Sequence, residues 1–407
     1  MKKNNSLLFG LIFVCLMIFS FSNCSQKGGI PKQPKYVFLF IGDGMGFAHV
    51  AAAEAYLADI GDGAKPGSTN ISFTSFPVLG MATTYSANSY ITCSSAAGTA
   101  LSTGTKTNNN MLGVDPQGNN LRSITYDIKE AGYKVGIATS VSIDHATPAA
   151  FYANDNSRNN YYAIACQLPQ TGFDFFAGSG FLRPKERDTT SINVYDIIQE
   201  AGYIVVRTPE QLQQIQAPQK IIITQEVGRK SDALTQAIDR TGNDGWTLPE
   251  ITKAAIDLLN NPKGFFMMIE GGQIDWAAHS NDGAAAVFET IDFSDAVQLA
   301  IDFYHQHPDE TLILVTADHE TGGLTLGFND TKYEMTPSLL REQKGKTLSR
   351  DEILELNHRA GFAWTTGAHT GAAVPVFAIG VGSEQFNGKM DNTDIPKRIC
   401  KIMGIKR

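Results

Sequence analysis

Seven acids and histidines stand where apolar or helix-like segments meet glycine-rich turns. They are Asp43 in "FLFIGDGMG", Glu270, Asp275 and His279 in "MMIEGGQIDWAAH", Asp318 and His319 in "LVTADHETGG", and His369 in "TTGAHTG". One acid in such a place commonly caps a helix or faces water, and one histidine is commonly structural. Several together are hard to explain as caps. Asp275 and His279 are spaced i, i+4, which on a helix turns both side chains to one face. Carboxylate with imidazole suits Zn²⁺, and carboxylates with hydroxyls suit Mg²⁺.

A second stretch, "ITCSSAAGTALSTGTKT" (91–107), is rich in hydroxyls and poor in packing side chains. If residues 94–103 form a helix, its first amides lack partners and the positive end of its dipole favours an anion. Ser94 taken alone reads as a helix N-cap. Beside a metal cluster it reads differently, because a serine oxygen next to Zn²⁺ loses its proton more readily and becomes a nucleophile. The glycine and alanines behind it let the backbone come close.

These residues need a scaffold that brings strand ends together, and the chain alternates strand-like and helix-like segments. "YVFLFI" (36–41) is apolar throughout and ends at Gly42, and "AHVAAAEAYLADI" follows with helical composition. The alternation recurs through "YKVGIATSV", "YIVVR", "GFFMMIEG" and "TLILVTAD", each preceded by a helix-like run. Fully apolar strands belong to a parallel sheet covered on both faces. The expected fold is an α/β three-layer sandwich, with a mostly parallel central sheet and helices on both faces. In such sheets ligands sit outside the carboxyl ends of the strands, where Asp43, Glu270 and Asp318 fall. Residues 176–245 and 320–368, richer in Gln, Thr, Lys and Glu, read as surface insertions.

With 407 residues, 43% hydrophobic and 18% charged, the chain can bury one large core or two modest ones. A net charge of -8 leaves no basic face for a phosphate backbone, which argues against nucleic acid as a partner. Lys2 and Lys3 precede an apolar run from Leu7 to Phe21, the layout of a secretion signal. Residues 1–23 therefore read as a lipoprotein-type signal peptide with Cys24 as the lipid-bearing residue, an ordinary signal peptide being the alternative. Residues 24–34 read as a tether and 35–407 as one catalytic domain. The expected location is outside the cytoplasm, in the periplasm or at an outer membrane, with membrane contact only through the anchor. Beyond Cys15 and Cys24 the chain has only Cys93, Cys166 and Cys400, so no disulfide framework follows.

Six segments in order, "IGDGMG", "ITCSSAAGTALSTGTKT", "ATPAAF", "EGGQIDWAAH", "TADHETGG" and "GAHTG", resemble the motif series of the alkaline phosphatase family, from residue 36 to about 380. The resemblance implies a phosphomonoesterase with two Zn²⁺ and one Mg²⁺. Its first zinc site would be Asp275, His279 and His369, and its second Asp43, Asp318 and His319, with Ser94 reaching the second. The magnesium site would share Asp43 and add Thr147 and Glu270. Arg158 would grip two phosphoryl oxygens with its planar fork. The implied mechanism is two-step transfer through a phosphoserine at Ser94, with phosphate monoesters as substrates and inorganic phosphate as product. Homodimers are common in the family.

Three positions depart from the best-known members. Cys93 stands where aspartate helps to orient the arginine, His145 occupies a place near the magnesium site that is aspartate in some members, and Trp276 replaces a residue that is often lysine or histidine. We expect Cys93 to be a small buried hydrophobe, and His305, His307 and His358 to lie on the surface. A sulfatase of the same superfamily would need C-x-P-x-R, and "CSSAA" lacks both proline and arginine. A superfamily phosphodiesterase usually lacks the arginine and the magnesium site, so Arg158, Thr147 and Glu270 favour a monoesterase. A non-catalytic lipoprotein that binds metal or phosphate would have no use for an activated Ser94.

Overall fold

The computed structural model describes residues 32–61, 67–186, 190–215, 219–242 and 244–407. The signal peptide and Cys24 lie outside the described residues. Of the expected tether, residues 32–34 are described; Pro34 is buried, so the domain begins slightly before residue 35.

The strands are β1 (Tyr36–Gly42), β2 (Val78–Thr83), β3 (Lys134–Thr139), β4 (Phe175–Ala177), β5 (Tyr203–Val206), β6 (Lys220–Ile223), β7 (Phe265–Gly271), β8 (Thr311–Thr316), β9 (Glu320–Thr321), β10 (Leu324–Leu326), β11 (Phe362–Trp364), β12 (His369–Thr370), β13 (Val374–Gly380) and β14 (Gly388–Asp391). Ten of them form one sheet in the order β14-β2-β13-β8-β1-β7-β3-β4-β6-β5. All of its pairings are parallel except those of β13, which runs antiparallel to β2 and β8. The α/β fold expected from the alternating segments is the fold observed.

The middle of this sheet explains the apolar runs. Every side chain of β1, β7 and β8 is buried, because helices cover both faces and no strand position alternates toward water. One layer contains Phe47–Ile60, Leu248–Leu259, Gln273–His279 and the long helix Gly283–Gln306, which packs along β1, β7 and β8. Its Phe293 ring meets that of Phe40 edge-on at 5.9 Å. The other layer is formed by Ser94–Thr103, Ile124–Glu130, Ala146–Ala149 and Asp394–Met403. Local sequence sets several of these starts. Thr247 and Glu250 close a capping box with Pro249 in the first turn, and Asp282 accepts from the amide of Ala285.

Register brings the chemistry to one edge. Ile41 lies opposite both Glu270 and Thr316, and Thr139 lies opposite Glu270. Asp43 and Asp318 each stand two residues beyond Ile41 and Thr316, so the carboxyl ends of β1, β3, β7 and β8 converge.

Residues 176–245 are not simply a surface insertion. They supply β5 and β6, which close one edge of the main sheet. The strands themselves, "YIVV" and "KIII", are mostly apolar, and the polar residues that gave the stretch its loop-like composition lie between them. Residues 320–368 contribute the small sheet of β10 with β11, the strand β9 that pairs with β12 just beyond the stretch, and the helix Arg350–Ala360 capped by Ser349 and Glu352.

Candidate active site

The hydroxyl-rich stretch forms the helix Ser94–Thr103, buried along its whole length, with Gly104 ending it in the left-handed conformation at φ 76°. Small residues are needed here: a Cβ on Gly98 would stand 3.1 Å from the Cβ of Ala150, which caps the short helix Ala146–Ala149. The cap is not Ser94 but Cys93, whose backbone is extended; Ser94 is the first helical residue, and its side chain is free of capping duty.

Ser94 Oγ instead lies 3.2 Å from His319 Nε2. Ser95 Oγ points elsewhere, 3.1 Å from Cys93 Sγ. His319 Nε2 also stands 3.4 Å from Asp43 Oδ1 and 3.3 Å from Asp318 Oδ2. Thr147 Oγ1 donates to Asp43 and Asp318, both at 3.4 Å, and the amides of Gly44 and His319 donate to Asp318 Oδ1. These groups are all buried, and together they form the inner half of the site.

The outer half is Asp275, His279 and His369. Asp275 and His279 share one face of their helix, with His279 Nε2 3.3 Å from Asp275 Oδ2. His369 Nε2 is 3.6 Å from Asp275 Oδ1 and 3.1 Å from His279 Nε2. Each ring is turned by a backbone oxygen: His279 Nδ1 donates to Gly367 and His369 Nδ1 to Thr92, at 2.7 and 2.8 Å. That hydrogen bond orients each ring and directs Nε2 into the cavity, where it can offer a lone pair to a cation. The imidazoles of His319 and His369 stack with centroids 3.6 Å apart, so the halves are contiguous.

Electrostatics argue for cations in this cavity. Burial, then repulsion from Asp318, Asp275 and Glu270, pushes Asp43 far above the usual carboxylate range. Burial, then Asp275, raises Asp318 to about 7, and burial raises Glu270 to about 8 against a hydrogen bond from Thr139. Burial also pushes Asp275 up, but hydrogen bonding from His279 and the charges of three histidines outweigh it and hold the carboxyl low. The same contact with Asp275 raises His279, whereas burial lowers His319 and His369. Asp43 Oδ1 and Glu270 Oε1 are buried with no hydrogen-bond partner. An orphaned buried carboxylate oxygen costs several kcal/mol unless a cation meets it. Ligand atoms of Asp275, His319 and His369 lie within 4.8 Å of one another, as do those of Asp43, Asp318 and His319, and those of Asp43, His145 and Glu270. The donor sets fit metal ions.

The structure brings all ten expected catalytic and metal-site residues to these strand ends, and it refines the three departures. Cys93 is half-buried and serves as a polar strut, not a hydrophobe. Its Sγ accepts the amide of Asn110 at 3.0 Å, while Asn110 O accepts the amide of Arg158 at 2.8 Å. Arg158 Nη2 donates to His145 Nε2 at 3.0 Å. His145 is neutral because burial, then Arg158, lowers it to about 3. Its proton is therefore on Nδ1, which has no partner. Holding a metal through Nδ1 would require moving that proton, so the imidazole serves either the third metal position or Arg158. Trp276 is half-buried, its ring edge-on to His145 with centroids 5.8 Å apart. His305 and His358 are exposed as expected; His307 is half-buried against Phe303 and Tyr36.

Sequence reasoning missed two threonines. Thr139 ends β3 and donates to Glu270 Oε2. Thr321, two residues beyond His319, donates to Asp275 Oδ1 at 2.6 Å and meets His319 Nδ1 at 3.2 Å. Its place inside "TADHETGG" was the available signal.

Comparison with known proteins identifies the family. The sequence model of the family described as alkaline phosphatase matches residues 34–175, 185–351 and 331–405. Alkaline phosphatase 4 of Bacillus subtilis (strain 168) is 33% identical over 437 residues, covering 93% of this chain and 92% of that protein. The cold-active alkaline phosphatase of the psychrophile Shewanella sp. superposes with a TM-score of 0.79 at 31% identity, covering 90% of this chain and 99% of that one. A variant of the alkaline phosphatase of the Antarctic bacterium TAB5, with Mg bound in its M3 site, gives 0.76 at 29% identity, covering 93% and 100%. This chain belongs to the alkaline phosphatase family. It is a phosphoric monoester hydrolase, and metal cofactors belong to its site.

Proposed function

We propose that the chain hydrolyses phosphate monoesters through a phosphoserine at Ser94, on a site holding two Zn²⁺ and one Mg²⁺. Asp275, His279 and His369 would hold one zinc, Asp43, Asp318 and His319 the other, and Asp43, Thr147 and Glu270 the magnesium. The observation that carries this reading is Ser94 Oγ, buried at a helix start and 3.2 Å from His319 Nε2. When bound, the cations supply charge that lowers the proton affinity of the serine and offsets that of the phosphoryl group.

Ser94 Oγ attacks phosphorus, the bond to the substrate oxygen breaks, and the serine proton leaves with the alcohol. Water then attacks the same phosphorus, restoring the serine and releasing inorganic phosphate. Arg158 orients the phosphoryl oxygens with its fork, steadied by His145 and by the backbone link through Asn110 to Cys93. The amides at the start of Ser94–Thr103 favour the anion further. Export, and attachment through Cys24, would place the reaction outside the cytoplasm. Fatty-acid labelling that is lost in Cys24→Ala tests that part.

The test of the activity is hydrolysis of a chromogenic aryl monoester between pH 7 and 10, with an aryl diester beside it. It is run on metal-stripped protein, with Zn²⁺, and with Zn²⁺ plus Mg²⁺. Metal-dependent cleavage faster on the monoester is expected. Faster diester cleavage would move the assignment to a phosphodiesterase, and metal binding without turnover would move it to a binding protein.

A further inference from the structure

Besides the stacked rings of His319 and His369, Thr321 links the two halves through its hydroxyl. It is fully buried on the two-residue strand β9, which pairs antiparallel with β12 so that Thr321 lies opposite His369. Its amide donates to Gly44 O at 3.1 Å, one residue past Asp43. Its backbone is thus pinned from both sides, and its hydroxyl has little freedom to turn elsewhere.

That hydroxyl has one proton, and Asp275 Oδ1, 2.6 Å away, has none to give. The proton therefore lies toward Asp275, and Thr321 Oγ1 must accept at its other contact, from His319 Nδ1–H at 3.2 Å. The direction of the chain is fixed: imidazole N–H to hydroxyl, hydroxyl to carboxylate. With Nδ1 protonated, His319 presents Nε2 as the lone pair toward Ser94, Asp43 and Asp318. With Oδ1 held, the Asp275 carboxylate is fixed in rotation, leaving Oδ2 3.3 Å from His279 Nε2. His279 and His369 are each oriented by a backbone carbonyl, those of Gly367 and Thr92. His319 alone among the three is oriented by a side chain that also holds a ligand of the other half.

We infer that Thr321 is a positioning residue whose hydroxyl couples the two zinc positions, so that each metal helps to pre-order the ligands of the other. The inference rests on the zinc assignment proposed above. Outer contacts of this kind typically carry about 10–100-fold in metal affinity.

The experiment titrates Zn²⁺ into metal-stripped protein against a chromogenic chelator, for wild type, Thr321→Val and Thr321→Ser. Thr321→Val keeps the shape and removes the hydroxyl; Thr321→Ser keeps the hydroxyl. We expect both zinc steps to weaken by about 10–100-fold in Thr321→Val and to return to within about threefold of wild type in Thr321→Ser. Melting of the metal-free proteins separates this from a packing defect, because a merely structural role would lower that midpoint and leave zinc affinity unchanged. If Thr321→Val does not fold, Thr321→Ala takes its place. Weakening of one step alone, or of neither, overturns the coupling. Because no turnover is measured, failure of the phosphatase reading shows separately, as wild type that binds two zinc ions and hydrolyses nothing.

Discussion

The inner and outer halves of the site use the same residue types and solve opposite problems. In the inner half, Asp43, Asp318 and Glu270 are fully buried, and burial first, then repulsion from neighbouring carboxylates that include Asp275, raises all three. In the outer half, Asp275 sits among histidines that hold it low, and His279 is 39% exposed. The outer half can balance its charge with its own side chains and water. The inner half has excess negative charge and orphaned oxygens, so its stability depends on what it binds. Ser94 lies on the inner side, where a bound cation matters most.

The largest effect should come from the nucleophile. Ser94→Ala is expected to lower turnover by at least about 10³-fold with zinc content unchanged. Ser95→Ala, which removes a hydroxyl bonded to Cys93 Sγ, should stay within about threefold. Comparable losses in both, measured on the aryl monoester, would break the assignment of Ser94.

Metal removal comes next. A carboxyl raised in the fold stabilises it while protonated; that contribution is complete below the unfolded value, near pH 4, and is lost as pH rises through the folded value. In metal-stripped protein Asp318 and Glu270 are raised to about 7 and about 8. The metal-free fold should therefore weaken from pH 5 to 9, and the melting shift on adding Zn²⁺ and Mg²⁺ should widen over that span. A shift that narrows toward pH 9 would contradict the inner-half account.

Arg158→Ala should raise KM for the monoester by roughly 10–100-fold, the worth of a hydrogen bond to a charged group. Arg158→Lys should recover only part, since lysine lacks the planar fork. Full recovery in lysine would reduce the arginine to a point charge.

The smallest effect lies away from the site and serves as the control. Glu289 is buried on Gly283–Gln306, accepts the amide of Ala237 at 2.7 Å, and burial raises it to about 8. Its loss of stability from pH 5 to 9 has the same sign but should not respond to metals. Glu289→Gln should flatten the pH slope of the melting midpoint equally with and without Zn²⁺.

Most of the fold was legible because its central strands are covered on both faces and read as unbroken apolar runs. β5 was legible as the apolar run "YIVVR", whereas the four-residue β6, "KIII", is too short to stand out from the polar stretch around it. Asp43, Glu270 and Asp318 were legible as strand-end acids, and His369 as a histidine in a glycine-bounded turn. The partners that turn them were not. Thr321 and Thr139 are ordinary residues until β9 meets β12 and β3 meets β7. Cys93 was misjudged because a half-buried thiol touching Asn110 looks, in sequence, like any small residue.

The most direct test of the central claim is acid-quenched mass spectrometry of the metal-loaded protein during turnover of an aryl phosphomonoester. One phosphoryl group on the peptide containing Ser94, absent in Ser94→Ala and lost when substrate is exhausted, is the predicted result. Phosphorylation at Cys93 or Ser95 instead, or full activity in Ser94→Ala, would contradict it.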